Sequence, residues 1–142
     1  MISHLPWLII PVIIYNIIAF GFGAAPVEGE TATVFDSVLF SLTLISGAVW
    51  SMKLGDIIII LSLVILFVEL VKATRTSSYS IVDHGLSMVV FIVCIIEFLA
   101  VKQAATSVFF IIMIIVLIDV IAGFTITIRA AKRDVAFGSA DT

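Results

Sequence analysis

Of 142 residues, 63% are hydrophobic and 12% are charged, against roughly 45–50% and 25% in ordinary soluble domains. A soluble domain of this size keeps too much surface in water to hide so much apolar area. The composition therefore excludes a soluble globular fold and points to lipid as a second solvent. Seven Lys or Arg against ten Asp or Glu leave a net charge of −3 with no basic run, which excludes a nucleic-acid partner.

The pattern predicts an all-α polytopic membrane protein. Residues 1–128 form a single transmembrane helical bundle and 129–142 a polar cytoplasmic tail. A hydrocarbon core of roughly 30 Å needs about 20 helical residues. Four stretches meet that length, at about 5–24, 55–71, 81–101 and 105–128. None alternates apolar with polar residues, so a membrane β-barrel is excluded.

The chain opens with MISHLPWLII, which leads into the first stretch, has no Lys or Arg and carries Pro6. That stretch reads as a span rather than as a removed signal peptide. Asn16 lies near its midpoint. An amide both donates and accepts, which suits Asn16 as a partner for an acid at similar depth on another helix, namely Asp119.

The segment 34–52 is ambiguous. Thr33, Asp36, Ser37 and Ser41 fall on one helical face, with Val34, Phe35, Val38 and Leu42 opposite, and Ser46-Gly47 then interrupts. It reads as a re-entrant or interfacial element beside four transmembrane helices, or alternatively as a fifth transmembrane helix.

Asp56 stands where it caps the second span. Ser62, Glu69 and Lys72 form a stripe along that span, and Glu69 and Lys72, three apart, can pair. On the third span Asp83, Ser87, Val90, Cys94 and Glu97 are spaced four, three, four and three, which keeps them on one face. The two stripes are expected to meet. Asp83 follows Ser80 at a capping-box spacing. His84 titrates near neutral pH when unperturbed, so it is a candidate to pass protons toward Ser87, or else a satisfied interfacial histidine. Glu97 is about one turn from Lys102, close enough for its side chain to reach toward water.

Asp119 sits in IIVLIDVIAGF, near the middle of the fourth span. An ionised Asp at a helix centre costs about 2.5–3.5 kcal/mol on insertion scales. It reads as a neutral hydrogen-bonding link between helices or as a proton or ligand site. Gly123, one turn on, permits another helix to approach closely. Trp7 and Trp50 are expected as interfacial anchors.

Lys72 and Arg75, with Arg129, Lys132 and Arg133 after the last span, place the 72–79 loop and the C-terminus in the cytoplasm. The expected location is the cell membrane, as a multi-pass protein of a bacterial inner membrane. Four spans start the chain inside, and five start it outside.

The sequence holds no HExxH, GxSxG, Walker loop or CxxC. Cys94 is the lone cysteine, and His4 and His84 are far apart. No enzyme activity, cofactor or metal is expected. The intramembrane polar candidates are Asp119, Asn16, Glu97, Glu69, His84 and Ser87. Short loops and the lack of a soluble head favour a non-catalytic accessory or assembly partner of other membrane proteins. The alternative is a small proton-coupled transporter or channel using Asp119. A holin-like pore is a third reading. Expected partners are the lipid bilayer and other membrane proteins or further copies of the chain.

Overall fold

The computed structural model describes residues 6–23, 32–74 and 80–138. Four helices dominate: α1 Ile9–Phe22, α2 Leu54–Ala73, α3 Ser80–Ala100 and α4 Ser107–Gly138. Between α1 and α2 a short 3-10 turn, Val34–Asp36, leads into two strands, β1 Val38–Thr43 and β2 Val49–Lys53. The architecture is mostly helical with a small two-stranded sheet, which corrects the all-α expectation.

Long-range contacts fix the helix directions. Trp7, just before α1, meets Glu69 near the end of α2. A Cβ on Gly55 at the start of α2 would lie 2.6 Å from Val108 at the start of α4. His84 and Phe98 of α3 face Phe124 and Phe110 of α4. The helices therefore run up, down, up, down. One end gathers Trp7, Glu69, His84 and Phe124, and the other carries the hairpin and the start of α4.

Helix α4 is the spine. It packs on both α2 and α3, which touch each other little. The expectation that the polar stripes of the second and third spans meet directly is thus corrected, because α4 lies between them. Ile112, Ile115 and Val116 of α4 form the core with Leu66, Ile58 and Cys94. Two helices, Leu54–Ala73 and Ser107–Arg129, are long and apolar enough to cross a membrane. Ile9–Phe22 and His84–Ala100 are shorter apolar helices. Helix α4 runs on through Gly138, so the first ten residues of the polar tail are helical. The Ala, Arg and Lys of RAAKR favour that continuation.

Segment 34–52 is not a fifth transmembrane helix but a β-hairpin. Strand β1 pairs antiparallel with β2, Phe40 opposite Met52 and Leu42 opposite Trp50, with an irregularity between Val38 and Phe40. The physical reason is a competing period. Phe40, Leu42, Trp50 and Met52 share one face, while Ser41, Thr43 and Ser51 share the other. Residues 38–43 and 49–53 are rich in β-branched and aromatic types. Ser46-Gly47 interrupts the helical pattern because it forms a hairpin turn. Gly47 has φ 83°, the left-handed conformation that ends a three-residue loop, and Leu44 N–H donates to Ala48 O at 2.8 Å.

The hairpin is tied to α2 at its base. Leu54 N–H donates to Ser37 O at 3.0 Å, and Asp56 accepts from Lys53 N–H at 2.9 Å, the capping expected of it. Asp36 accepts from Thr33 N–H at 2.9 Å and from Lys53 Nζ at 3.0 Å. The Thr33 amide and the Lys53 ammonium hold its carboxyl below the ordinary value of 3.8. A depressed folded pKa contributes stability that is present above the unfolded value and lost as pH falls through the folded one. Both side chains are about half exposed, so the effect is small. In a Trp7→Phe background, Trp50 emission is expected to shift as pH falls below 3.8. Asp36→Asn should show the shifted emission already at neutral pH.

Candidate functional site

The buried polar side chains of the described residues are Ser62, Glu69, His84, Ser87, Thr106 and Asp119. Four of them, Glu69, His84, Ser87 and Asp119, come together at the Trp7 end of the bundle. Asp119 is 1% exposed and His84 5%. Ser87 donates to the Asp119 carboxyl, and Glu69, His84 and Lys72 lie within electrostatic range of it. The second carboxyl oxygen, Oδ2, has no hydrogen-bond partner among the described residues, and neither has His84 Nε2.

Gly123 explains why His84 reaches this depth. A Cβ there would overlap His84 Nδ1, Cε1 and Cγ. The imidazole therefore rests on bare backbone one turn from Asp119. Phe124 covers it, ring centroids 5.8 Å apart. The close approach anticipated at Gly123 is made by a side chain of α3.

Glu69 closes the cluster toward the bundle end. Its Oε1 accepts from Trp7 N–H at 2.7 Å, and Lys72 Nζ lies 3.3 Å from both carboxylate oxygens. Lys72 Nζ also sits 5.4 Å from the centre of the Trp7 ring, a cation–π distance. Trp7 is thus held by α2 through its backbone amide and its ring together.

The remaining candidates lie elsewhere. Asn16 hydrogen-bonds Glu97 and donates to Val12 O at 3.1 Å, so the suggested Asn16–Asp119 pair is corrected. Asn16 adjoins Tyr15, which meets Thr106 and Phe109 at the start of α4, so it lies toward the hairpin end while Asp119 lies toward the Trp7 end. The side chain of Asp83 lies outside the described residues, as do Arg75 and His4.

One polar chain was missed from sequence. Phe109 N–H donates to Thr106 Oγ1 at 3.1 Å, so Thr106 caps α4. Thr106 Oγ1 is 2.6 Å from Tyr15 Oη, which in turn donates to Gln103 O at 2.8 Å. Tyr15 is fully buried, stacked on Phe35 at 4.4 Å and tilted on Phe109 at 4.8 Å. The signal available was a Thr standing just before an apolar helix. An apolar layer of Ile112, Ile115 and Val116 separates this chain from the Asp119 cluster.

The second candidate surface is the hairpin. All of β1 is exposed, and Ile45 at the turn stands wholly in the open. Phe40 and Trp50 touch edge to face at 5.8 Å but rest on no helix core. Both strands are edges, since the sheet has two strands only. Among the described residues no group of His, Cys, Asp and Glu is arranged to hold a metal ion. No family model, curated protein or solved structure matches the chain.

Proposed function

We propose that the chain is an integral membrane protein crossing the bilayer four times, and that it serves as a non-catalytic accessory or assembly partner of other membrane proteins. Supporting the membrane reading, 33 large apolar side chains are exposed among the described residues, twice the 16 hydrophobic residues of the buried core. Such a surface suits lipid rather than water. The Trp7 end then faces the cytoplasm, because Lys72 and Arg129 lie toward it.

The observation that carries the accessory role is the hairpin. An isolated two-stranded hairpin is marginal at best in water. In hydrocarbon, each unpaired backbone group on its open edges costs several kcal/mol. Neither solvent suits it alone. A strand or apolar surface of another polypeptide, met at the non-cytoplasmic side of the bilayer, covers the Phe40–Trp50 face and satisfies an edge.

Purified in mild detergent from its native membrane at native abundance, the wild-type protein is expected to carry a stoichiometric partner. The double change Leu42→Asp and Trp50→Lys, on one cross-strand pair, should release it while helix content stays unchanged. Isolation of wild type alone and monodisperse as a single copy overturns the proposal. Self-association without other proteins identifies the partner as a second copy.

The buried cluster favours a second reading, a small proton-coupled transporter or channel using Asp119. Ionisable groups inside a membrane segment are costly and are characteristic of ion pathways and proton relays.

A further inference from the structure

Two described side chains hold a buried polar atom without a hydrogen-bond partner, His84 at Nε2 and Asp119 at Oδ2. Both belong to one cluster. Buried polar groups are nearly always satisfied, and each exception calls for a ligand, a water or a proton that completes it.

We propose that His84 and Asp119 form a binding site for a single proton, taken up from the bundle end where Trp7, Glu69 and Lys72 meet. This deepens the transport reading and rests on it only for the proton's onward path.

The argument is one of charge and of donors. Glu69 and Lys72 of α2 form an ion pair at 3.3 Å and cancel. Helix α3 contributes His84 and Ser87, α4 contributes Asp119, and the segment before α1 contributes only the Trp7 amide and ring. With Asp119 ionised and His84 neutral, the cluster carries one net negative charge. In the tautomer with Nδ1 protonated, Oδ2 and Nε2 are then both acceptors. A lone charge in an apolar interior is costly.

One added proton removes both defects. Placed on Asp119, it makes the carboxyl a donor to a bridging water that donates in turn to Nε2. Placed on His84, it makes Nε2–H a donor to that water, which donates to Oδ2. The two atoms do not bond each other directly, and the cluster is neutral either way, so the proton can pass between them across one water with no change in net charge. It arrives from bulk water and returns there. Gly123 fixes the geometry, since the seat of the imidazole and the carboxyl lie one turn apart on α4. The apolar layer around Val116 closes the far side, and Lys72, its side chain 30% exposed, marks the side open to water.

The test follows the proton itself, in full-length protein reconstituted in lipid nanodiscs. The infrared carbonyl stretch of a protonated carboxylic acid is expected to grow in as pH falls and to be absent in Asp119→Asn. The ring nitrogens of His84, followed by nitrogen-15 NMR, should titrate at the same midpoint as that band. His84→Gln should move the midpoint by about one pH unit or more, as for coupled groups. The coincidence of midpoints is read on wild type alone, so a variant that fails to fold does not remove the test. Absence of both a carboxylic-acid band and a His84 imidazolium signal in wild type, independent midpoints, or an unmoved midpoint in a folded His84→Gln protein each overturn the pair. Vesicles loaded with a pH dye separate the two ideas. Equal proton flux in wild type and Asp119→Asn, with the band and coupling present, removes the transport reading and leaves the proton site standing.

Discussion

Gly123→Ala is expected to destabilise the protein by about 1–3 kcal/mol, the usual cost of overpacking a tight site. The sign is the informative part. In an open helical position the same change is favourable by roughly 0.5–1 kcal/mol, because alanine loses less entropy than glycine. Gly85 of α3 provides that comparison, as a Cβ there meets nothing within 4 Å. Gly85→Ala is therefore expected to be neutral or stabilising. The added methyl at 123 lands on His84, so His84→Ala in the Gly123→Ala background should recover much of the loss. A double-mutant cycle by detergent unfolding measures this directly, and the coupling between contacting residues is expected at about 0.5–3 kcal/mol. Additive effects would show that the imidazole does not rest on Gly123.

Tyr15→Ala carries the largest expected loss, about 3–5 kcal/mol as for other buried aromatic residues cut to alanine. Two contributions separate by substitution. Tyr15→Phe keeps the stack on Phe35 and Phe109 but removes the hydroxyl that joins Thr106 to Gln103. It leaves buried polar groups without their partner, at about 1–3 kcal/mol. Thr106→Ala should cost about as much, because it loses the cap on α4 as well as the contact with Tyr15. Equilibrium unfolding in a denaturing detergent ranks the three. A phenylalanine variant as weak as the alanine variant would place the whole effect in the hydroxyl and none in packing.

The helices were legible because a long apolar run has one economical conformation when its backbone must satisfy itself. Their observed bounds lie within about four residues of the expected ones, except that α4 continues ten residues further, through Gly138. The costly polar residues were also legible, since Asp119, Glu69, His84 and Ser87 stand out against Ile, Val and Leu. Which of them meet was not. Asn16 and Asp119 each stand near the middle of an apolar stretch, yet Asn16 bonds Glu97 toward the hairpin end, because how far one helix is shifted along its neighbour is not encoded by spacing within either. Trp7 read as an anchor by its ring, but half of its hold on α2 is a backbone amide, and every residue but proline has one. The hairpin was misread because Val34, Phe35, Val38 and Leu42 fit a helical stripe while Phe40, Leu42, Trp50 and Met52 fit a pleat. Over so short a segment both periods match, and the glycine turn decides between them.

The alternating directions of the four helices have an engineering consequence. Residue 7 and the end of α4 lie toward the same end of the bundle. With four crossings as proposed, two copies joined head to tail through a short soluble linker would insert in the same orientation, with no additional crossing between them. A tandem gene would then force a parallel pair of hairpins at one membrane face. An antiparallel pair would require an inserted span.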